Sequence, residues 1–99
     1  SNANTVYSNI NKTAPCWWLN ISPSKFKNSL NILLVEEDEL IWINLPKGCC
    51  YPPEDFFNTR NDNGKVDLRI GTEEPDYLKD YLSFNNFDFK SHVKNRLKI

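Results

Sequence analysis

Few residues of this sequence could take part in acid, base or nucleophilic catalysis. The chain of 99 residues contains one histidine, His92, and three cysteines, Cys16, Cys49 and Cys50. A serine or cysteine nucleophile needs a general base, which is most often a histidine. Because His92 lies in a basic segment near the end of the chain, we interpret it as a surface or boundary residue. We therefore predict no catalytic residue, and the sequence favours a protein without enzymatic activity.

Cysteine and histidine also bind zinc, usually with two cysteines about two to four residues apart. The only close pair here is Cys49 and Cys50. Adjacent residues of an extended chain point in opposite directions, so two such sulfurs rarely reach one ion. We therefore predict no metal site and no cofactor, and we expect the domain to fold without zinc. Unpaired thiols then pack as small apolar groups.

Clustered carboxylates could instead hold a hard cation. The acidic run at 36–39 is predicted to form a hairpin tip, where consecutive side chains diverge into solvent. Asp67 and Arg69 have the spacing of an acid and a base on a nuclease strand, but arginine does not titrate in this role. A metal-dependent hydrolase fragment is therefore only the third interpretation. Three glycines in the whole chain leave no glycine-rich phosphate loop.

Binding residues are easier to find than catalytic ones. The C-terminal segment is rich in cations, which could contact phosphate groups, and it supplies the candidate nucleic-acid-binding residues Lys90, Lys94, Arg96 and Lys98. Trp17 and Trp18 are adjacent in a predicted strand, so one of them should lie off the main core. Trp18 and Trp42 are the candidate residues for docking a partner.

The elements that would position these residues are predicted to be four strands, at 16–21, 30–35, 40–45 and 65–70. Strands 30–35 and 40–45 should form an antiparallel hairpin, with 30–35 central and covered on both faces because it is apolar throughout. Apolar and charged residues alternate along segment 65–70. Val66, Leu68 and Ile70 are expected to face the core, and the charged residues Lys65, Asp67 and Arg69 to face solvent. The segment is expected at the edge of the sheet.

Residues 24–29 are too short for a helix, and a single turn is expected there, with Ser22 as its N-cap and Pro23 at the first helical position. Short helices are expected at 53–58 and at 73–82. Phe89, Val93 and Leu97 recur every four residues, which predicts a C-terminal helix over 88–99. The predicted fold class is α+β, with a mainly antiparallel sheet of about four strands and this helix packed on one face.

Composition and the start of the chain bear on its class and origin. The net charge of −1 and the 13% aromatic content argue against disorder, and no run is long and apolar enough to span a membrane. Residues 1–3 resemble the remnant of a cleaved expression tag, 4–14 are predicted to be a polar lead-in or linker, and 15–99 form one domain. Since the chain has no methionine, we expect the domain to come from a larger cytoplasmic protein. A secreted chain that has lost its signal peptide is the alternative.

The order of the predicted strands resembles the β-rich C-terminal portion of bacterial restriction-endonuclease-like and related mobile-element proteins. There a tryptophan-rich strand leads into an apolar hairpin, as residues 16–21 (CWWLNI), 30–35 (LNILLV), 40–46 (LIWINLP) and 64–70 (GKVDLRI) do here. The resemblance covers 16–90. The catalytic acids and lysine of that family have no match in this chain, which implies an accessory part with catalysis elsewhere in the parent protein.

The leading hypothesis is a non-catalytic binding or accessory domain of a larger bacterial protein of a nucleic-acid-processing, restriction-type kind. Its partner would be the remainder of its own polypeptide, another protein, or nucleic acid bound weakly, and not a membrane. The alternative is a small stand-alone interaction protein of the immunity or antitoxin kind. The reading frame of the parent gene would distinguish these two hypotheses.

Overall fold

The computed structural model describes residues 4–11, 13 and 15–99, whose strands form one seven-stranded mixed sheet. The strands in chain order are β1 Thr5–Asn11, β2 Cys16–Ile21, β3 Leu30–Glu36, β4 Glu39–Leu45, β5 Asn58–Thr59, β6 Val66–Gly71 and β7 Val93–Lys98. Across the sheet their order is β5-β6-β2-β1-β3-β4-β7. β1 and β3 run parallel, and the other neighbouring strands run antiparallel.

The predicted hairpin forms the centre of one half of this sheet. β3 and β4 pair antiparallel in an unbroken register from Leu30 opposite Leu45 to Glu36 opposite Glu39. The tight turn between them places Glu37 at a positive φ of 53°. This confirms that 30–35 and 40–45 are antiparallel neighbours. β3 is interior to the sheet, but only one of its faces is fully buried, so the prediction that both faces are covered is wrong.

β1 lies in the segment predicted to be a lead-in, and over Thr5–Asn11 that prediction is wrong. Val6 is the register partner of Ile32 in the parallel strand β3, and Ile10 is the partner of Trp17 in the antiparallel strand β2. β1 therefore joins β3, β4 and β7 to β2, β6 and β5. The inward apolar side chains of β1 are few and alternate with polar ones, so the sequence shows little sign of the strand. Lys12, Ala14 and the predicted tag remnant at 1–3 lie outside the described residues.

The predicted C-terminal helix is also wrong, because a short 3₁₀ turn, Lys90–His92, leads directly into β7. β7 pairs antiparallel with β4, with Leu97 opposite Leu40 and a register shift at Trp42 and Ile43. Apolar residues four positions apart are compatible with one face of a helix or one face of a regular strand, but the register shift in β7 turns Val93 toward the core and Leu97 to the opposite side of the sheet. Tertiary pairing with β4 decides between helix and strand.

The α+β fold class therefore does not hold: the described part of the chain contains no α-helix, and the fold is mostly β. The single turn predicted after Ser22 is present as the 3₁₀ turn Pro23–Lys27, although Ser22 makes no side-chain cap bond. The predicted helix at 53–58 shrinks to the 3₁₀ turn Pro53–Asp55. Segment 73–82 is irregular. β6 is not an edge strand, since β5 pairs with its first residues and the backbone of 78–81 with its last.

Irregular segments, rather than helices, cover the inner face of the sheet. Phe57 stacks on Phe89 with ring centroids 6.0 Å apart, and Phe87 lies 4.8 Å from Phe89. Phe26 joins them from the turn after β2, 5.6 Å from Phe57. This aromatic cluster closes the core over the buried aliphatic side chains of the strands. In the described part of the chain, no helix covers the opposite face of the sheet.

Candidate docking surface

The most unusual surface of the molecule is the solvent side of β1, β3, β4 and β7, which we call the outer face. Its side chains alternate with the buried ones of the same strands, and each of them is partly or fully exposed. Its members are Thr5, Tyr7, Asn9, Asn31, Leu33, Val35, Leu40, Trp42, Asn44, Asn95 and Leu97.

Strand register arranges these residues in rows across the four strands. One row consists of successive cross-strand partners, namely Tyr7, Leu33, Trp42 and Asn95. The next row is built in the same way from Asn9, Val35, Leu40 and Leu97. Partners opposite one another on a sheet face lie about 5 Å apart, so the two rows form a continuous patch.

The aromatic and aliphatic members of the patch all keep part of their surface exposed to solvent. Tyr7 is 65% exposed and Leu97 is 42% exposed, while Leu33, Val35 and Trp42 are half-buried by their neighbours on the same face. Exposed strand faces normally carry polar and charged residues. Contiguous apolar patches on a protein surface often mark a site where a partner or ligand binds.

Hydrogen bonds hold the polar part of the outer face in place. The indole Nε1 of Trp42 donates to Oδ1 of Asn31 at 2.8 Å, and Nδ2 of Asn44 donates to the same oxygen at 3.0 Å. Asn44 also donates to Oγ of Ser29 at 2.9 Å. The Trp42 ring is thereby tied to the sheet surface, which reduces the rotamer freedom that it would lose on binding.

None of the eleven described residues that make up the outer face is charged, although a quarter of the sequence is. The acids and bases of the same strands, such as Glu39 and Arg96, lie on the other side of the sheet or at its rim. A partner that covers these eleven residues therefore does not have to desolvate a charged group. Desolvation of charge is the largest free-energy cost of burying a polar surface. Its amides still need hydrogen-bond partners in any complex.

Trp18, the other tryptophan predicted to dock a partner, lies in a different environment. Trp17 is fully buried and Trp18 is 40% exposed, which confirms that one of the two rings lies off the main core. The Trp18 Nε1 donates to Oδ1 of Asp67 at 2.7 Å, and the Arg69 guanidinium carbon lies 4.6 Å from the ring centroid. The structure thus places Trp42 on the uncharged outer face and Trp18 beside charged residues of β6.

The four cations predicted to bind nucleic acid are not a free basic helix face. Arg96 Nη1 donates to Oε1 of Glu39 at 3.1 Å and to the Tyr77 hydroxyl at 3.0 Å. Lys98 lies 3.5 Å from Asp38. Along an edge strand such cations also oppose pairing with another sheet.

The remaining two predicted cations flank the start of β7. The Lys90 ammonium donates to the Tyr77 carbonyl at 3.3 Å and lies 3.8 Å from a carboxylate oxygen of Asp88. Lys94 is exposed at the register shift of β7. Three of the four cations therefore have an acidic neighbour, and phosphate would have to compete with it.

Two buried carboxylates lie near Arg69, although the alternation of 65–70 predicts that Asp67 faces solvent. Asp67 is only 5% exposed, and Asp80 is fully buried. The backbone N–H groups of Arg69 and Leu82 donate to Oδ1 of Asp80 at 3.2 and 3.1 Å. Burial nevertheless raises the pKa of Asp80 to about 6. No local pattern indicates that Asp80 is buried, because its burial comes from segment 77–81 folding against the edge of β6.

The cysteines and the histidine occupy separate places. Cys16 is buried beside Tyr81, whose pKa is raised to about 12 by burial and by a hydrogen bond with Cys16. The His92 ring stacks on Phe87 at 5.7 Å. Cys49 and Cys50 lie together, with sulfurs 3.1 Å apart, so the expectation that they diverge is wrong. Among the described residues, no group of three or more His, Cys, Asp or Glu could hold a metal ion.

The chain was compared with protein families, curated proteins and solved structures. No known protein family, curated protein or solved structure matches the chain. Within the residues that the structure describes, no helix has the length and apolar character needed to cross a membrane. The sequence resemblance to restriction-type proteins thus stays a prediction.

Proposed function

We propose that this chain is a non-catalytic binding domain that docks an uncharged, apolar segment of a protein on its outer face. The observation that supports the proposal is the combination of exposed Tyr7 and Leu97, a tethered Trp42 and the absence of charge among the described residues that form the face. Tryptophan and tyrosine are among the residues that most often dominate the energy of protein interfaces.

The size of the outer face suits a short protein segment. Four strands about 4.8 Å apart and five residues of about 3.3 Å each span a patch of roughly 14 by 17 Å. Functional patches on soluble proteins commonly cover a few hundred Å². An apolar helical stripe or an extended strand would fit these dimensions, and such a segment could belong to a longer polypeptide or to a separate protein.

The chemistry of the outer face favours protein over nucleic acid. Nucleic acids carry a negative charge at every phosphate, and proteins bind them mainly through lysine and arginine. The described residues of the outer face include no cation, and Arg96 and Lys98 of the neighbouring edge contact acids. On the β7 edge, binding of DNA would therefore depend on Lys94 and on breaking the ion pairs of Arg96 and Lys98.

Selection from a random peptide display library tests the proposal on the folded chain. The selected peptides should be rich in aliphatic and aromatic residues and poor in charge. Their dissociation constants should rise about tenfold or more for Tyr7→Ser and Leu97→Ser, since the loss of about 1.4 kcal/mol of contact energy changes a dissociation constant tenfold.

The matched control is Phe84→Ser, because Phe84 is fully exposed but lies in segment 83–86, away from the outer face. It should leave the dissociation constants within about twofold. Selected peptides that depend on Phe84 but not on Tyr7 or Leu97 would contradict the proposal. DNA binding at about 50 mM salt that is lost in Lys94→Ala would favour nucleic acid instead.

A further inference from the structure

Cys49 and Cys50 form a pair of thiols in direct contact, although they are neighbours in sequence. Cys49 N–H donates to the Pro46 carbonyl at 3.1 Å, and Gly48 adopts a positive φ of 76°. This turn after β4 takes the chain out of the extended conformation in which adjacent side chains diverge. As a result the two sulfurs lie 3.1 Å apart.

The two thiols differ in their access to solvent. Cys50 is 2% exposed and belongs to the hydrophobic core. Cys49 is partly exposed and packs against the edge of that core. A small reagent can therefore reach Cys49 first, with the Cys50 sulfur held close behind it. This is the arrangement of an attacking thiol and a resolving thiol.

We propose that Cys49 and Cys50 are an oxidation site, which forms a reversible disulfide by exchange with a low-molecular-weight disulfide. The Cys49 thiolate attacks one sulfur of the reagent, forming a mixed disulfide and releasing the first thiol. Cys50 then loses its proton to solvent, and its sulfur attacks the Cys49 sulfur and releases the second thiol. Two protein thiols are oxidised, and one small disulfide is reduced to two small thiols.

The geometry of adjacent residues makes the resulting bond easy to reduce. Consecutive Cα atoms are about 3.8 Å apart, whereas disulfides usually join Cα atoms about 4.4 to 6.8 Å apart. Strain of this kind raises the reduction potential, which is typical of labile rather than structural disulfides. Burial, together with the neighbouring thiol, raises the pKa of Cys50, so the second exchange step should accelerate as the pH rises.

The proposal is tested on the full chain with oxidised glutathione, followed by mass spectrometry of tryptic peptides. The peptide 48–60 contains both thiols and excludes Cys16. It should lose two hydrogens with no glutathione attached, and dithiothreitol should restore the original mass. A stable glutathione adduct as the end product, or an unmodified peptide, would overturn the proposal.

Single-residue variants separate the roles of the two sulfurs. Cys50→Ser should stop at a glutathione adduct on Cys49, and Cys49→Ser should remain largely unmodified because Cys50 is buried. Cys16→Ser should behave as the unsubstituted chain does. In guanidinium the unfolded chain should accumulate adducts instead of the internal disulfide. Equal disulfide yield from the folded and unfolded chains would overturn the claim that the fold brings the sulfurs together.

Discussion

Trp42 donates its indole N–H to the Oδ1 of Asn31, 2.8 Å away on the neighbouring strand. The same oxygen accepts a bond from Asn44, so one asparagine fixes the largest ring of the outer face. The position of Trp42 is thereby set by the register of β3 and β4 rather than by cover from another element. The surface that we propose for docking is therefore already formed in the chain on its own.

Replacing Asn31 by alanine should loosen this ring. Because the site is only half-buried, its two donors can turn to water, and the loss should be about 1 kcal/mol in the free energy of unfolding. Urea denaturation measures that loss, and faster hydrogen exchange of the Trp42 indole N–H reports the freed ring. Asn9→Ala, on the same face but exposed, should change stability by less than about 0.5 kcal/mol. Similar losses for both variants would count against the role of Asn31.

The final strand gives a direct test of the fold. In NMR spectra, β7 should show cross-strand contacts between Ile41 and Arg96 and between Leu40 and Leu97, in keeping with their register. Far-UV circular dichroism should be that of a β protein, since the described part of the chain holds no α-helix. Successive amide-to-amide contacts from 90 to 98, as in a helix, would refute the pairing of β7 with β4.

Asp80 should make the folded chain more stable as the pH falls. A carboxylate in an ion pair has the opposite effect, because its pKa is lowered in the folded state. The pKa of Asp80 is raised by burial from 3.8 to about 6, so the folded chain favours the protonated acid. The resulting stabilisation is complete below about pH 4 and is lost as the pH rises through about 6. Relative to Asp80→Asn, the unsubstituted chain should gain on the order of 2 to 3 kcal/mol between pH 7 and pH 4.

Urea unfolding of both proteins at several pH values measures this difference. Comparison with the variant removes the contribution of the other acids, which titrate in both chains. Parallel stability profiles for the two proteins would show that Asp80 is not buried as the structure places it.

Gly71 tests how the irregular segment after β6 packs. A Cβ at this position would collide with the Asp76 backbone, coming within 2.8 Å of its carbonyl carbon. Gly71 also exchanges backbone hydrogen bonds with Lys79 and Leu78, at 3.0 and 2.9 Å. Gly71→Ala should therefore cost more than about 2 kcal/mol, since the backbone must shift.

Gly64→Ala is the control for this substitution. Gly64 has a positive φ of 71° but open space around its Cα, so alanine there should cost only about 1 kcal/mol. Thermal or urea unfolding gives both values. A cost for Gly71→Ala equal to or below that of Gly64→Ala would mean that segment 76–79 does not lie against β6.

The apolar patterns of 16–21, 30–35, 40–45 and 65–70 are enough to predict four strands and one hairpin. They do not predict β1, because its outward residues, such as Asn9 and Asn11, are typical of a linker. β7 is ambiguous in sequence because the spacing of Val93 and Leu97 predicts a helix, whereas the register shift of the strand puts their side chains on opposite faces. Only pairing with β4 decides between helix and strand. β1 pairs along most of its length with β3 rather than with the next strand β2, and β7 pairs with the much earlier β4, so local pattern alone carries too little information.

The candidate site is predictable in part. Trp42 can be identified from its strand, but the uncharged face around it depends on the register that joins β1, β3, β4 and β7. The sequence pattern gives Arg96 and Lys98 no acidic partner, because Glu39 and Asp38 lie about sixty residues earlier in the chain. The contact of Cys49 with Cys50 depends on the turn that precedes them, which the rule for an extended chain does not anticipate.

The most direct test of the proposed docking role is chemical-shift mapping of a selected peptide on the isotopically labelled chain. We expect the largest changes on the outer face, at Tyr7, Leu33, Trp42 and Leu97, and the Trp42 indole resonance should move with them. Changes concentrated on segment 72–89 or on Lys90, Lys94 and Lys98, with the outer face unmoved, would contradict the docking role.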